Sequence, residues 1–302
     1  MTSPALLHVA SAQYPIGQPK SLAEWEDKIA RWVKSGTATG ANLLVFPEYA
    51  AIEQAACFGS EVYNDLKITL AKVAELAASR VAFHAELARR HNVHILVGSG
   101  PVLKSDGSFD NAAQLVTPEG VIGEQEKLIM TPFERDWGIS AGKTVRVFKT
   151  RIGTFGIAIC YDSEFPLLVR AMAEAGAEVV LVPSCTEKIS GYHRVRTGCM
   201  ARALENTIAT VQSPTVGDAP WSPAVDFNEG AAGIYVPSEH GVSDDGILAC
   251  GKLNAAEWVT AKIDLARLRR VREAGEMRNY ADWNNQPGSP MSEVKVEVVE
   301  LN

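Results

Sequence analysis

The amino-acid sequence predicts an α/β fold on a mixed β-sheet, and three observations support this prediction. Apolar runs of strand length alternate with segments of helical periodicity through the 302 residues. Residues 112–127 and 145–160 each contain two apolar runs joined by a short turn, which is typical of antiparallel hairpins. No linker divides the chain, so we expect one domain over residues 1–302 with a C-terminal tail from about residue 280.

The first third of the chain contains strand and helix patterns in close succession. Ser21 and Glu24 have the spacing of a capping box, and the apolar residues that follow them recur at helical spacing up to Val33. The other expected elements are an opening strand at 9–15, a strand at 41–48 that Pro47 interrupts, a helical region at 61–90 and a strand at 94–100.

The remaining two thirds continue this alternation after the two hairpins. Helices are expected at 165–176 and 192–206, and a last helix begins at Asp264, which has the position of an N-cap. Further strands are expected at 177–184, 207–213, 231–237 and 257–263, with a loop at 214–230 that is rich in Pro, Asp and Gly.

Composition and charge exclude several function classes. The formal net charge of −7 gives no basic surface for a nucleic-acid partner. No apolar segment has the length of a membrane span, and the N-terminus lacks the basic region of a signal peptide, so we expect no membrane partner. The five scattered cysteines include no C-x-x-C pair, which favours a reducing compartment, with the cytoplasm as the expected location.

Three predicted strands end on an ionisable side chain. Glu48 ends "LLVFPE", Lys127 ends "VIGEQEK" and Cys160 ends "FGIAIC". Ligands of α/β proteins bind beyond the carboxyl ends of strands, so these side chains are candidates for one common pocket. The alternative is that they are unrelated strand-end residues and that Cys160 is a small core hydrophobe.

The three groups complement one another chemically. A thiol attacks a carbonyl as the thiolate, and its formation from a pKa near 8.5 requires help. A carboxylate such as Glu48 can accept the proton, and an ammonium such as Lys127 stabilises both the thiolate and the oxyanion. Glu134 adds a second carboxylate seven residues after the lysine, and the helix expected near Phe165 places its positive dipole end close to Cys160.

These segments resemble the motifs of the nitrilase superfamily, the carbon–nitrogen hydrolases. "LLVFPE" resembles the glutamate motif, "EKLIMTPFERD" the lysine motif and "GIAICYDSEFP" the cysteine motif of that family. The similarity runs in the family's order from about Leu6 to Asp264. It implies a four-layer α-β-β-α sandwich, a homodimer or higher homo-oligomer, and a reaction that uses neither a metal nor an organic cofactor.

The resemblance also implies a role for each motif residue. Cys160 would be the nucleophile and Glu48 the general base. Lys127 and the backbone N–H of Tyr161 would stabilise the oxyanion, and Glu134 would orient the amide nitrogen of the substrate or assist proton transfer. The implied reaction is hydrolysis of a non-peptide carbon–nitrogen bond through an acyl-thioester, with release of ammonia or an amine.

The residues after the cysteine favour an amide substrate. True nitrilases tend to carry Cys-Trp-Glu, whereas Tyr161 and Asp162 follow Cys160 here and resemble amidases. We therefore expect a small linear amide, with N-carbamoyl amino acids, ω-amides of α-keto acids and nitriles as alternatives. A substrate carboxylate in the first two would need an arginine, for which the candidates are Arg135, Arg194 and Arg196. A non-catalytic nitrilase-like binding protein is an alternative of another class, which the presence of all three motif residues disfavours.

Residues near the three motifs are expected to bind the substrate. They are Tyr49, Phe133, Trp137, Tyr161, Cys185 and Thr186, together with the loop around Trp221. Cys185 is interpreted as a small lining residue, because no acid or base is evident beside it. His193 and His240 raise the alternative of a histidine base, but single histidines on a helix or loop are usually structural or solvated.

Overall fold

The computed structural model describes residues 6–286 and 295–301. The strands are β1 (Leu6–Pro15), β2 (Leu43–Val45), β3 (His94–Leu103), β4 (Phe109–Val116), β5 (Ile122–Glu126), β6 (Ile139–Ser140), β7 (Val145–Thr150), β8 (Gly153–Ile157), β9 (Val179–Ser184), β10 (Ala209–Val216), β11 (Gly233–Tyr235), β12 (Ile247–Cys250), β13 (Glu257–Asp264) and β14 (Val296–Glu300). The α-helices are α1 (Leu22–Ala38), α2 (Ser60–Tyr63), α3 (Leu66–Glu75), α4 (Ala77–His91), α5 (Pro132–Asp136), α6 (Pro166–Glu174), α7 (Ile189–Asn206) and α8 (Leu265–Ala274). Three 3-10 segments cover Ala50–Phe58, Cys160–Glu164 and Ala281–Asn285.

The strands form two mixed sheets that join at the end of β1. The first sheet has the order β13-β1-β2-β3-β4-β5, and β6 pairs with β4. The second sheet has the order β14-β7-β8-β9-β10-β11-β12. Tyr14 and Pro15 at the end of β1 pair in parallel with Thr215 and Val216 of β10, which links the two sheets.

Side chains of the first sheet alternate between two apolar layers. In β2, Leu43 and Val45 belong to the core between the sheets, whereas Leu44 belongs to the layer under the helices. Helices α1, α3 and α4 pack on the first sheet, and α6 and α7 pack on the second. Burial of each aliphatic side chain in these layers contributes about 1.5–3 kcal/mol. The result is the four-layer α-β-β-α sandwich, which confirms the expected fold class.

Both predicted hairpins and two predicted helix starts are confirmed. β4 pairs antiparallel with β5, and β7 with β8. Asp264 caps α8, because its Oδ1 accepts a hydrogen bond from Arg267 N at 2.7 Å. Ser21 Oγ caps α1 by accepting from Glu24 N at 3.2 Å, but the Glu24 carboxylate accepts from Lys20 N instead of closing the capping box.

The helical region expected over 61–90 consists of three separate helices in the structure, α2, α3 and α4. Asp65 Oδ1 accepts a hydrogen bond from Ile68 N at 3.0 Å and so begins a new helix within the predicted one. The loop expected over 214–230 begins later in the structure, because β10 extends to Val216.

The C-terminal tail returns to the second sheet where the structure describes it. β14 pairs in parallel with β7 from Val296↔Val145 to Glu300↔Lys149, and Leu301 N donates to Lys149 O at 2.8 Å. Residues 287–294 of the expected tail lie outside the described residues. The single domain over residues 1–302 stays a prediction.

Candidate active site

A cavity of approximately 540 Å³ opens beyond the ends of β2, β5, β8 and β9. This volume lies within the range of small-molecule sites. Glu48, Lys127 and Cys160 all line the cavity, although they come from three separate parts of the chain. The residues predicted to meet in one pocket therefore do so.

The turn after β2 holds Glu48 in place through close backbone contacts. Pro47 O accepts a hydrogen bond from Ser99 N of β3 at 3.2 Å. A Cβ at Gly98 would lie 2.2 Å from the same oxygen, and Gly98 has a φ of +88°, so only glycine fits this position. Tyr49 has a φ of +56°, which is uncommon for a residue with a side chain. This constrained turn directs the Glu48 carboxylate into the cavity.

A hydrogen-bonded cluster surrounds the Lys127 ammonium. Lys127 Nζ donates to Glu48 Oε1 at 2.8 Å and to Glu134 Oε2 at 2.7 Å. Asn111 Nδ2 donates to Oε1 of both glutamates at 3.0 Å, and the Tyr49 hydroxyl donates to Glu134 Oε1 at 2.8 Å. Glu48 and Lys127 are only 1% exposed and Glu134 is 2% exposed. The cluster thus holds two carboxylates and one ammonium away from bulk water.

The two glutamates of this cluster have pKa values that move in opposite directions. Burial raises the pKa of Glu48, and Lys127 opposes this while the charge of Glu134 adds to it. Burial also acts on Glu134, but Lys127, Thr131 and Asn111 outweigh it, so the pKa of Glu134 lies below its ordinary value. A pair of carboxyl groups separated in this way provides one group for proton transfer and one fixed negative charge.

Cys160 opens the 3-10 segment after β8 with its side chain toward the cluster. Its φ of +49° is a left-handed conformation, which costs a non-glycine residue about 1–2 kcal/mol. Its Sγ lies 3.8 Å from Cys185 O and lines the same cavity as the Glu48 carboxylate. Burial raises the pKa of the Cys160 thiol well above its ordinary value, and Glu48 adds to this while Lys127 opposes it. A thiol with a raised pKa needs a base before it can attack a carbonyl, and the Glu48 carboxylate lies in the same cavity.

Asp162 ties the segment after Lys127 to the segment after β8. Its buried carboxylate accepts hydrogen bonds from the backbone N–H groups of Leu128, Ile129 and Ile159, the shortest at 2.8 Å from Ile129. Burial raises the pKa of Asp162 to about 7, although Lys127 and these donors oppose the shift. The contacts set the distance between the lysine and cysteine segments.

The six residues predicted to bind the substrate all line the cavity. They are Tyr49, Phe133, Trp137, Tyr161, Cys185 and Thr186. Cys185 N donates to Glu48 Oε2 at 3.0 Å, and Cys185 Sγ lies 3.4 Å from Asn228 Oδ1. Burial raises the pKa of the Cys185 thiol to about 12, and its Sγ donates to an amide oxygen and not to a carboxylate. The part that these residues take in substrate binding stays a prediction.

Other candidates from the sequence do not line the cavity. They are Trp221, Arg135, Arg196, His193 and His240. Trp221 packs against Tyr63 with ring centroids 5.5 Å apart, although Pro223, Ala224 and Phe227 of its loop do line the cavity. Both histidines are exposed, so neither is placed to serve as a base. Arg194 is the one of the three candidate arginines that lines the cavity.

Three residues at the site escaped prediction. Asn111 lies within β4, and an asparagine inside an apolar strand was a usable signal, because strands are depleted in asparagine. Thr131 and Glu134 form a capping box that begins α5, a short helix that is not among the elements expected above. Glu164 lines the cavity four residues after Cys160, and no pattern in the sequence distinguishes it.

Replacing Lys127 by methionine is expected to lower the free energy of unfolding by about 3–5 kcal/mol, because it leaves two buried carboxylates without their cation. Lys149→Met is the matched control, since Lys149 is 47% exposed and pairs with Glu300 at 3.0 Å. The control is expected to cost less than about 1 kcal/mol. Urea unfolding at neutral pH measures both, and equal losses would contradict a stabilising role for the buried cluster.

Several known proteins are similar to this chain in sequence. "Probable hydrolase YhcX" of Bacillus subtilis is 36% identical over 277 residues, which cover 91% of this chain and 53% of that protein. An "(R)-stereoselective amidase" of Pseudomonas is 37% identical over 150 residues, which cover 49% of this chain and 53% of that protein. This chain spans about half the length of these two curated relatives.

A solved structure and a family model complete the comparison. The crystal structure of Saccharomyces cerevisiae Nit3, a member of branch 10 of the nitrilase superfamily, superposes with a TM-score of 0.71 at 20% identity. The superposition covers 89% of this chain and 94% of that one, and it concerns the fold. The carbon-nitrogen hydrolase family model matches residues 8–273. The chain therefore belongs to the carbon–nitrogen hydrolase family.

Proposed function

We propose that this protein hydrolyses the carbon–nitrogen bond of a small linear amide through an acyl-thioester on Cys160. The observation that supports this most is the convergence of Glu48, Lys127 and Cys160 at one cavity, with Lys127 Nζ 2.8 Å from Glu48 Oε1. A thiol, a base and a fixed cation are the groups that acyl transfer requires. The similarity to a Pseudomonas amidase over about half of this chain agrees with an amide as substrate.

Acylation begins with proton transfer from the Cys160 thiol to Glu48, whose pKa burial raises. As the proton leaves, Sγ attacks the amide carbonyl carbon and forms a tetrahedral oxyanion. Two of the three Lys127 N–H donors are taken by carboxylates, and the third remains for the oxyanion, together with the Tyr161 backbone N–H. The C–N bond then breaks, and Glu48 returns the proton to the leaving nitrogen.

Deacylation uses the same groups in reverse order. Glu48 accepts a proton from a water molecule while the water oxygen attacks the thioester carbonyl. Collapse of the second tetrahedral intermediate breaks the C–S bond and releases the carboxylic acid. The thiolate regains its proton from Glu48, which restores the starting state.

Glu134 has a positioning role in this proposal. Both of its oxygens accept hydrogen bonds, Oε1 from Tyr49 and Asn111 and Oε2 from Lys127 and Thr131. A carboxylate that is already satisfied by these donors, and whose pKa lies below its ordinary value, is a weak proton carrier. It fixes the Lys127 ammonium beside Glu48.

A trapped intermediate tests the proposed function. We expect incubation with simple amides to release ammonia, and acid quenching during turnover to leave the mass of the acyl group on the peptide that contains Cys160. Cys185 provides the internal control, because its thiol lines the same cavity on a different peptide. Ammonia release without an acyl group on Cys160, or no reaction with amides, N-carbamoyl acids or nitriles, would contradict the proposal.

We further propose that the protein acts in the cytoplasm as a homodimer or higher homo-oligomer without nucleic-acid or membrane partners. Within residues 6–286 and 295–301, no helix combines the length and apolar composition that crossing a membrane requires. Sedimentation of the purified chain tests the association state, and a monomer at micromolar concentration would contradict a homo-oligomer.

A further inference from the structure

Glu164 presents a further carboxylate to the cavity, four residues after Cys160. It is the last residue of the 3-10 segment that Cys160 begins, and its side chain is 20% exposed. Burial raises the pKa of Glu164, whereas Arg194 and, at longer range, Lys127 lower it. In the described part of the chain these two are the basic groups that act on this carboxylate. Glu164 has no role in the reaction proposed above.

The ion pair between Glu164 and Arg194 is loose. Arg194 Nε lies 3.6 Å from Glu164 Oε1, beyond ordinary hydrogen-bond distance, and the Arg194 side chain is 62% exposed on α7. An exposed pair of this kind contributes little, so the guanidinium can return to water at small cost. A small ammonium group is a compact charge that can approach a carboxylate closely. A cationic ligand can therefore replace Arg194 at Glu164.

The charges around the cavity favour the same kind of ligand. Five carboxylates face three basic groups along the described lining: Glu48, Glu134, Glu164, Glu187 and Asp226 against Lys127, Lys188 and Arg194. Lys127 is already bound to two of these carboxylates. An excess of negative charge in a partly enclosed site attracts cations and disfavours anionic substrates.

We propose that Glu164 binds the positively charged end of an amino-substituted amide, with Arg194 as its exchangeable partner in the free protein. This inference rests on the amide hydrolysis proposed above and names its substrate class. The carbonyl carbon of such a substrate lies at Cys160, and its ammonium group displaces Arg194 from Glu164. Substrates with a free carboxylate, among them N-carbamoyl amino acids, are repelled by the negative charge of Glu164.

A matched panel of substrates tests this assignment. Straight-chain amides, ω-amino amides and monoamides of dicarboxylic acids are compared at equal chain lengths, and kcat/KM is measured from ammonia release. At the best chain length we expect the ω-amino amide to exceed the neutral amide about tenfold, as one hydrogen bond to a charged group allows. Glu164→Gln is expected to remove this preference. Arg194→Gln is expected to increase it about twofold to fivefold, because the competing cation is lost.

Control variants separate a binding role from a general charge effect. Glu86→Gln removes the same charge from the exposed side of α4, where Glu86 pairs with Arg89, and should leave the preference unchanged. Isothermal titration calorimetry on the Cys160→Ala variant should show tighter binding of the ω-amino amide than of the neutral amide. In the double variant that also carries Glu164→Gln, the two amides should bind equally.

Three outcomes would overturn the inference. Equal kcat/KM values for neutral and ω-amino amides would contradict the role of Glu164 but leave the proposed amide hydrolysis intact. A preference for dicarboxylic monoamides that Arg194→Gln abolishes would assign the subsite to a substrate carboxylate. Failure to cleave any amide would contradict the proposed function itself, and with it the substrate class.

Discussion

Replacing Cys160 by alanine is expected to lower kcat for amide hydrolysis by at least about 10⁴-fold, because no other thiol of the described chain is placed to form the thioester. Cys185→Ala is the matched control, since Cys185 also lines the cavity and its carbonyl oxygen lies 3.8 Å from Cys160 Sγ. Its hydrogen bond to Glu48 comes from the backbone N–H, which the substitution retains. Rates of ammonia release under saturating substrate measure both variants.

The comparison of the two cysteines discriminates between enzyme and binding protein. A strong loss in Cys160→Ala with a change of less than about tenfold in Cys185→Ala agrees with a nucleophile at residue 160. Equal rates for the parent protein and Cys160→Ala would contradict the proposed mechanism. If neither the parent protein nor the variant releases ammonia while the parent binds amides, the non-catalytic alternative is favoured.

The fold was predictable because its signals are local. Each apolar run ends at a turn residue, and both hairpins have turns that the sequence displays. Glu48, Lys127 and Cys160 were identified because each is the last residue of a predicted strand and lies within a family motif. The helical region over 61–90 was recognised but its division was not, because apolar periodicity continues across Asp65, where a cap begins a new helix. Periodicity alone does not register such a cap.

The pKa values of the site residues could not be predicted from the sequence, because they depend on contacts between residues that are far apart along the chain. Asn111 is 63 residues from Glu48 along the chain, yet its amide bridges Glu48 and Glu134. The pKa of Glu134 falls because of the several donors that surround it, whereas burial raises the pKa of Glu48. Two glutamates of the same type thus acquire different proton affinities. No spacing rule reports how many donors face a carboxylate.

Glu48→Gln is expected to lower kcat by about 10²–10⁴-fold, because both acylation and deacylation require this group to accept a proton. The amide is isosteric, but it cannot match the donors around it. Glu48 Oε1 accepts from Lys127 Nζ and Asn111 Nδ2, and Oε2 accepts from Cys185 N. Either orientation of the glutamine sets its NH₂ group against another donor. Stopped-flow measurement of ammonia release and acyl-enzyme formation should show both steps slowed.

Glu53→Gln separates the loss of a base from the cost of altering a buried glutamate. Glu53 is fully buried and accepts hydrogen bonds from Tyr14 and Lys28, but it does not line the cavity. We expect this control to destabilise the fold while kcat of the folded fraction stays within about tenfold of the parent value. A similar fall in kcat for Glu53→Gln and Glu48→Gln would mean that buried negative charge in general is required. Such a result would contradict the role of Glu48 as the proton acceptor.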